Sequence, residues 1–189
     1  MNAKIFISHA SKNKAVAEAI TEAIMGAFML AQDDIICTSV DGFGLPGDAS
    51  DFYRNIRDNI KNAKVVIYLI SDEFCKSEDC LYEMAWGVNC GTRFFFHLDS
   101  PSTGVKPNLA KYVNMSCIND DGMERLRHVL GNKLQKQFNV YLWKKGKKEA
   151  IEAAEKYRLK KEEHKKIIQL ALETKEQIFS IQEKINKLL

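Results

Sequence analysis

Apolar positions recur along this chain in two alternating rhythms. A short apolar run from Lys4 to Ser8 gives way to Val16, Ala19, Ile20, Ala23, Ile24 and Ala27, which recur at helical spacing. Ser11 stands just ahead of them as the expected N-cap. Asp34 to Ser39 reads as a second strand, and Asp41 to Asp48 as a loop with three glycines and one proline. A helix over 51–62 carries Phe52, Ile56 and Ile60 on one face, which assigns Phe52 to the core. Between Lys64 and Ser71 the apolar residues run without interruption, the pattern of a strand buried on both faces. Residues 78–89 return to helix, Thr92 to Leu98 form a fourth strand, and Pro101 to Pro107 a loop. Val113 to Ile118 make a short fifth strand, followed by a helix over Gly122 to Phe138.

Strands that alternate with helices predict an α/β fold with a parallel sheet. Five strands fit the flavodoxin-like order 2-1-3-4-5, with helices on both faces. In that order the ligand crevice opens where the winding reverses, beyond the carboxyl ends of strands 1 and 3. Two segments must line it: Ser8 to Ser11, and Ser71 to Glu83.

The pattern changes near Lys144, so the chain divides into an α/β domain over 1–143 and a charged helical segment over 144–189. Ile167, Ala171, Thr174, Ile178, Ile181, Ile185 and Leu188 repeat at alternating spacings of four and three, a heptad seam on a long C-terminal helix. Such a seam packs against another copy or folds back on its own domain. Gly146, inside the run Trp143 to Lys148, reads as a break, and that run as a solvated hinge.

Charge sharpens the division. Residues 1–143 carry 15 Lys+Arg against 17 Asp+Glu, while 144–189 carry 13 against 8. The globular part is not basic, so it is not expected to read a phosphate backbone, and no nucleic-acid partner is assigned. No stretch approaches the roughly 18 apolar residues of a membrane span, and the start lacks an apolar leader. The expectation is a cytoplasmic protein that does not enter a membrane. The five cysteines form no C-x-x-C pair and do not cluster with the four histidines, so reduced thiols are expected and no metal site is assigned.

Three segments carry candidate chemistry: Phe6-ISHA-Ser11, Leu45-PG-Asp48, and Ile70-SDEFCKSEDCLY-Glu83. Together, over about residues 4–138, they resemble the Toll/interleukin-1 receptor (TIR) domain family, especially its bacterial members. Ser77, Cys80 and Glu83 match the family's S-x-x-C-x-x-E stretch after strand 3. Many relatives carry Trp just before the Cys, where this chain has Asp79. Trp86, three residues past Glu83, is on about the same helix face and is the candidate to supply the aromatic surface.

The NAD-cleaving branch of that family uses a glutamate at the position of Glu83. The resemblance therefore implies an NAD glycohydrolase or cyclase with Glu83 as catalytic carboxylate. Nicotinamide leaves as a neutral molecule from a cationic pyridinium, so one carboxylate beside the developing oxocarbenium ion is chemically sufficient. Ser8, His9, Ala10, Ser11, Gly44, Asp48, Ser77, Cys80 and Trp86 are assigned to substrate binding. NAD is the substrate and no cofactor is needed. The product would be ADP-ribose or a cyclic or conjugated ADP-ribose, read by a downstream effector in bacterial antiviral defence. Self-association through TIR–TIR contacts and the C-terminal helix is expected. The alternatives are a non-catalytic TIR scaffold and a nucleoside deoxyribosyltransferase, which also uses a glutamate. A Ser/His nucleophile is disfavoured, because neighbouring residues at a strand end point to opposite faces and no nucleophile elbow is present. A phosphoacceptor receiver domain is excluded, because the strand ends read Ile7-Ser8-His9 and Ile70-Ser71 rather than acidic.

Overall fold

The computed structural model describes residues 3–38, 40, 51–89, 91–99 and 115–186. In chain order the strands are β1 (Ile5–His9), β2 (Ile35–Ile36), β3 (Val65–Ile70), β4 (Arg93–His97) and β5 (Ser116–Cys117). The α-helices are α1 (Lys14–Phe28), α2 (Phe52–Asn62), α3 (Asp72–Lys76), α4 (Glu78–Trp86), α5 (Asp120–Leu134) and α6 (Val140–Asn186). All strand pairings are parallel, and the order is β2-β1-β3-β4-β5. This is the doubly wound order that the alternation of elements implies.

Alternation along the central strands builds two cores. Ile5 and Ile7 of β1, with Val65, Ile67 and Leu69 of β3, face α1, α5 and α6. Phe6 of β1, with Val66, Tyr68 and Ile70 of β3, faces α2, α3 and α4. The unbroken apolar run of β3 is therefore covered on both sides, and all six of its residues are buried.

Local differences from the sequence expectations have local causes. Ser11 does not cap α1: it opens a 3-10 turn over Ser11–Asn13, and Asn13 occupies the N-cap position. The stretch after β3 contains an extra short helix, α3, capped by Ser71, whose Oγ accepts from the Phe74 N–H at 3.0 Å. Phe52 is 40% exposed, because the core face of α2 is taken by Ile56, Asn59 and Ile60. The glycine loop over 41–50 lies outside the described residues.

The largest difference is at the expected hinge. There is no break at Gly146: the chain is one helix from Val140 to Asn186. Trp143, Gly146, Ala150 and Ala154 are buried on its inner half. Gly146 is where α6 crosses α1, and a Cβ there would come within 2.6 Å of the Ala23 Cα. Trp143 is 2% exposed and packs edge-on to Phe28, with ring centroids 6.5 Å apart. Its indole N–H donates to Glu124 Oε1 at 3.0 Å. Among the described residues no helix is long and apolar enough to cross a membrane.

Candidate functional site

The site is built where β1 and β3 end side by side, with Ser8 opposite Tyr68 and His9 opposite Leu69. Ser8 shares the face of Phe6 and points at α4; His9 points to the other face. At the start of α4, Ser77 Oγ accepts from the Cys80 N–H at 3.3 Å, a cap that satisfies one of the helix's unpaired donors. From that cap the helix turn brings Cys80 and Glu83 inward, and both are buried.

The central contact joins two residues 75 positions apart. Ser8 Oγ donates to Glu83 Oε2 at 2.5 Å. Glu83 is only 6% exposed. Burial penalises its charge and pushes the carboxyl up to about 7; Ser8 pulls the other way, and the negative charge of Asp79 adds to the rise. A carboxyl poised near neutrality in a cleft is a mark of a functional site.

A cleft enclosing about 150 Å³ of water-accessible space opens over this contact. Of the residues assigned to the site, His9, Ala10, Ser11, Ser77, Cys80, Glu83 and Trp86 all line it. Ser8 lies just behind, 1% exposed, with its hydroxyl turned to Glu83. Gly44 and Asp48 lie outside the described residues. Trp86 is half-buried and stacks on Tyr82 at 6.0 Å, so the aromatic surface missing at position 79 does reach the cleft.

His9 carries no charge here. Burial lowers its pKa to about 4, its Nδ1 lies 3.6 Å from Cys37 Sγ, and its Nε2 is buried without a partner among the described residues. The Cys37 and Cys80 thiols are pushed up by burial, to about 12 and about 11, so neither is a ready nucleophile.

Three lining residues were not assigned from sequence as part of the site: Thr38, Ile56 and Asp79. Tyr53 also lines it, as does Phe52, which the helical pattern assigns to the core. Asp79 accepts from Tyr53 Oη at 3.1 Å and so ties α4 to α2 across the cleft mouth. Only the expected Trp at this position drew attention to it, and nothing local reveals its partner.

A second polar cluster stands beside the first. Lys161 on α6 pairs with Asp72 at 2.8 Å, Glu73 at 3.5 Å and Asp99 at 2.6 Å. Tyr157 donates to Glu73 at 2.8 Å and reaches Asp99 at 3.2 Å, while the Asp72 N–H donates to Asp99 Oδ2 at 2.6 Å. Here α6 is fastened to the segment that leads directly into α4.

The fold and the cleft define a doubly wound α/β domain with a buried carboxylate, Glu83, in a cleft over the carboxyl ends of β1 and β3. The TIR domain family model matches residues 5–127, and the chain belongs to that family. A protein of Bacillus subtilis (strain 168), the uncharacterized protein YddK, is 38% identical over 93 residues. The match covers 47% of this chain and 34% of YddK, so the chain spans about a third of that relative's length.

Proposed function

We propose that this TIR domain cleaves the N-glycosidic bond between nicotinamide and ribose in NAD, with Glu83 as the catalytic carboxylate. The observation that carries the reading is the buried, cleft-lining Glu83 carboxyl at the carboxyl ends of β1 and β3. Nicotinamide departs neutral and the ribose takes up positive charge. A carboxylate already stripped of water and held in place stabilises that charge with little reorganisation. The cationic pyridinium of bound NAD favours the ionised form of Glu83, so substrate binding itself prepares the group. Trp86 offers a face for stacking, and Ser77, Cys80 and Ala10 to Ser11 line the approach. Water, a second ribose hydroxyl or another acceptor then yields ADP-ribose or a cyclic or conjugated product. In this reading the protein works in the bacterial cytoplasm, in antiviral defence, and a downstream effector reads the product. Two copies or more associate through TIR–TIR contacts and the outer part of α6.

The test is incubation of the purified chain with NAD, with products identified by mass spectrometry. Glu83→Gln is expected to lose at least about 10²-fold in rate. It is also expected to fold well. Glu83 in the folded state has a pKa above its unfolded value, so its ionisation costs stability as pH rises from about 4.5 through about 7. At pH 8 the Gln variant should be the more stable protein, on the order of 2 kcal/mol. A Glu83→Gln protein that consumes NAD at the wild-type rate removes Glu83 from the reaction.

The second reading is a non-catalytic scaffold acting through TIR–TIR contacts. Asp79 favours it: where many relatives offer an indole, this chain spends the position on a bridge to Tyr53. A wild-type chain that leaves NAD intact at every concentration tried, yet self-associates, selects this alternative.

A further inference from the structure

Ser8 is an anomaly of packing. It sits near the carboxyl end of β1, paired with Tyr68 of β3 and two residues beyond the last pairing with β2, at the end of an otherwise apolar run. At 1% exposure a hydroxyl needs a partner, and leaving it without one costs about 1–3 kcal/mol. An alanine or valine would fill the position without that demand. The partner it finds is the carboxylate on which the proposed function rests.

We propose that Ser8 is the positioning residue of Glu83: its hydroxyl fixes Oε2 on the sheet side and leaves Oε1 to the cleft. The inference deepens the NAD-cleaving reading and rests on it for its catalytic meaning. It also replaces the substrate-contacting role that the sequence suggests for Ser8, because a hydroxyl spent on Glu83 is not offered to a ligand.

The neighbouring strand reinforces the grip. Tyr68, paired with Ser8 across the sheet, directs its Oη to the Glu83 main-chain oxygen at 3.5 Å. Gly87 leaves room for that phenol, since a Cβ there would fall 1.8 Å from Tyr68 Oη. The turn of α4 that carries Glu83 is thus held at its main chain by β3 and at its carboxylate by β1. With both ends fixed, the carboxylate has few orientations to sample, which is the condition for electrostatic preorganisation.

The groups around Glu83 decide what Ser8 does to its charge. Strand β1 presents Ser8 and His9, the end of β2 presents Cys37, β3 presents Tyr68, α2 presents Tyr53, and α4 itself presents Asp79 and Cys80. His9 is neutral and the thiols of Cys37 and Cys80 are protonated. Burial and Asp79 oppose ionisation of Glu83; the bond from Ser8 is the contribution that favours it. Removing the hydroxyl should therefore both free the carboxylate to rotate and raise its pKa.

The experiment has two arms on the full chain. The first is a carbon-13 NMR titration of glutamate carboxyls without NAD, with the Glu83 signal assigned by its loss in Glu83→Gln. The wild-type midpoint is expected near 7, Ser8→Ala is expected about 1 unit higher, and Ser8→Thr, which keeps the hydroxyl, close to wild type. The second arm is the pH dependence of NAD consumption. Ser8→Ala should lose roughly tenfold or more in kcat at pH 6–7 and regain part of it at high pH, with KM little changed. Ser8→Thr should restore the profile. A wild-type midpoint at the ordinary glutamate value of about 4.3 overturns the proposal, as does a midpoint that Ser8→Ala leaves in place. A rise in KM with kcat intact also overturns it, because Ser8 would then be binding substrate. If the wild-type chain turns over no NAD but the midpoint moves in Ser8→Ala, the NAD reading fails and the hold of Ser8 on Glu83 stands.

Discussion

The two halves of α6 share one helix and one charged composition, yet meet opposite fates. The inner half, from Val140 to Lys161, lies on α1 through Trp143, Gly146, Ala150 and Ala154. The outer half carries larger apolar residues and covers none of them: Ile167, Ile178, Ile181 and Ile185 are 65%, 61%, 57% and 45% exposed. Small residues permit a helix to approach another closely; branched ones keep it away unless a seam of matching knobs and holes is supplied. The domain supplies a groove for glycine and alanine and nothing for the isoleucines. The inner half is therefore part of the fold, and the outer half leaves its isoleucines in solvent. The heptad spacing of the exposed residues fits a second copy of this helix.

The sharpest way to break the comparison is at Trp143. Trp143→Ala removes a fully buried ring, and a loss of about 3–5 kcal/mol in urea unfolding is expected. An exposed isoleucine such as Ile181, cut to alanine, should cost the domain almost nothing. Equal losses would mean that the outer half is packed in solution.

Gly146 reverses a familiar sign. In a free helix, Gly→Ala stabilises by roughly 0.5–1 kcal/mol. At Gly146 the added Cβ meets the Ala23 main chain, so Gly146→Ala should instead destabilise by about 1–3 kcal/mol. A stabilised variant would show that α6 does not sit against α1 there.

Lys161 closes the inner half. Its side chain is 16% exposed, and that of Asp99 is 2%. Lys161→Met leaves the carboxylates of Asp72, Glu73 and Asp99 facing one another, at a cost of about 1–3 kcal/mol after allowance for partial exposure. The same variant should speed hydrogen exchange in α3, which the cluster fastens to α6.

Acid should loosen the inner half. Glu73 is lowered by its bonds to Tyr157 and Lys161 against the opposing effect of burial, and Glu124 falls to about 2 through Arg127, Trp143 and Lys147. Both folded-state values lie below the unfolded ones. The stability they contribute is thus present above about pH 4.5 and lost as pH falls toward 2. Both groups are partly exposed, so the effect is modest, about 1 kcal/mol or less. Trp143 fluorescence between pH 5 and 2.5 reports it. The smallest effect on the fold belongs to the outer half: Ile178→Glu with Ile181→Glu should change domain stability by under about 0.5 kcal/mol. Light scattering is expected to show self-association lost in that variant; an unchanged mass would leave the seam without a self-partner.

Much of this protein is legible in its amino-acid sequence. The two-sided burial of β3 follows from its unbroken apolar run, and the order of elements leads to the parallel sheet and to a crevice over β1 and β3. The segment Ser77 to Glu83 could be placed at that crevice by motif and fold logic together. Period and order are local properties, set by which face of a strand or helix must leave water. What stayed illegible lies between elements distant in the chain: the bond from Ser8 to Glu83, the bridge from Tyr53 to Asp79, the three carboxylates on Lys161. Gly146 shows why. In the chain it has the neighbours of a hinge, four lysines in five residues, and a helix tolerates or breaks at such a glycine with equal ease. Only the approach of α1 gives it meaning, because a missing side chain is a feature of whatever surface comes to fill the gap. The sequence by itself determined the sheet, its two cores and the position of its carboxylate. The tertiary structure alone decided which half of the last helix belongs to the domain and which residue holds Glu83, since both are settled by distances of a few ångströms between parts of the chain that carry no local record of each other.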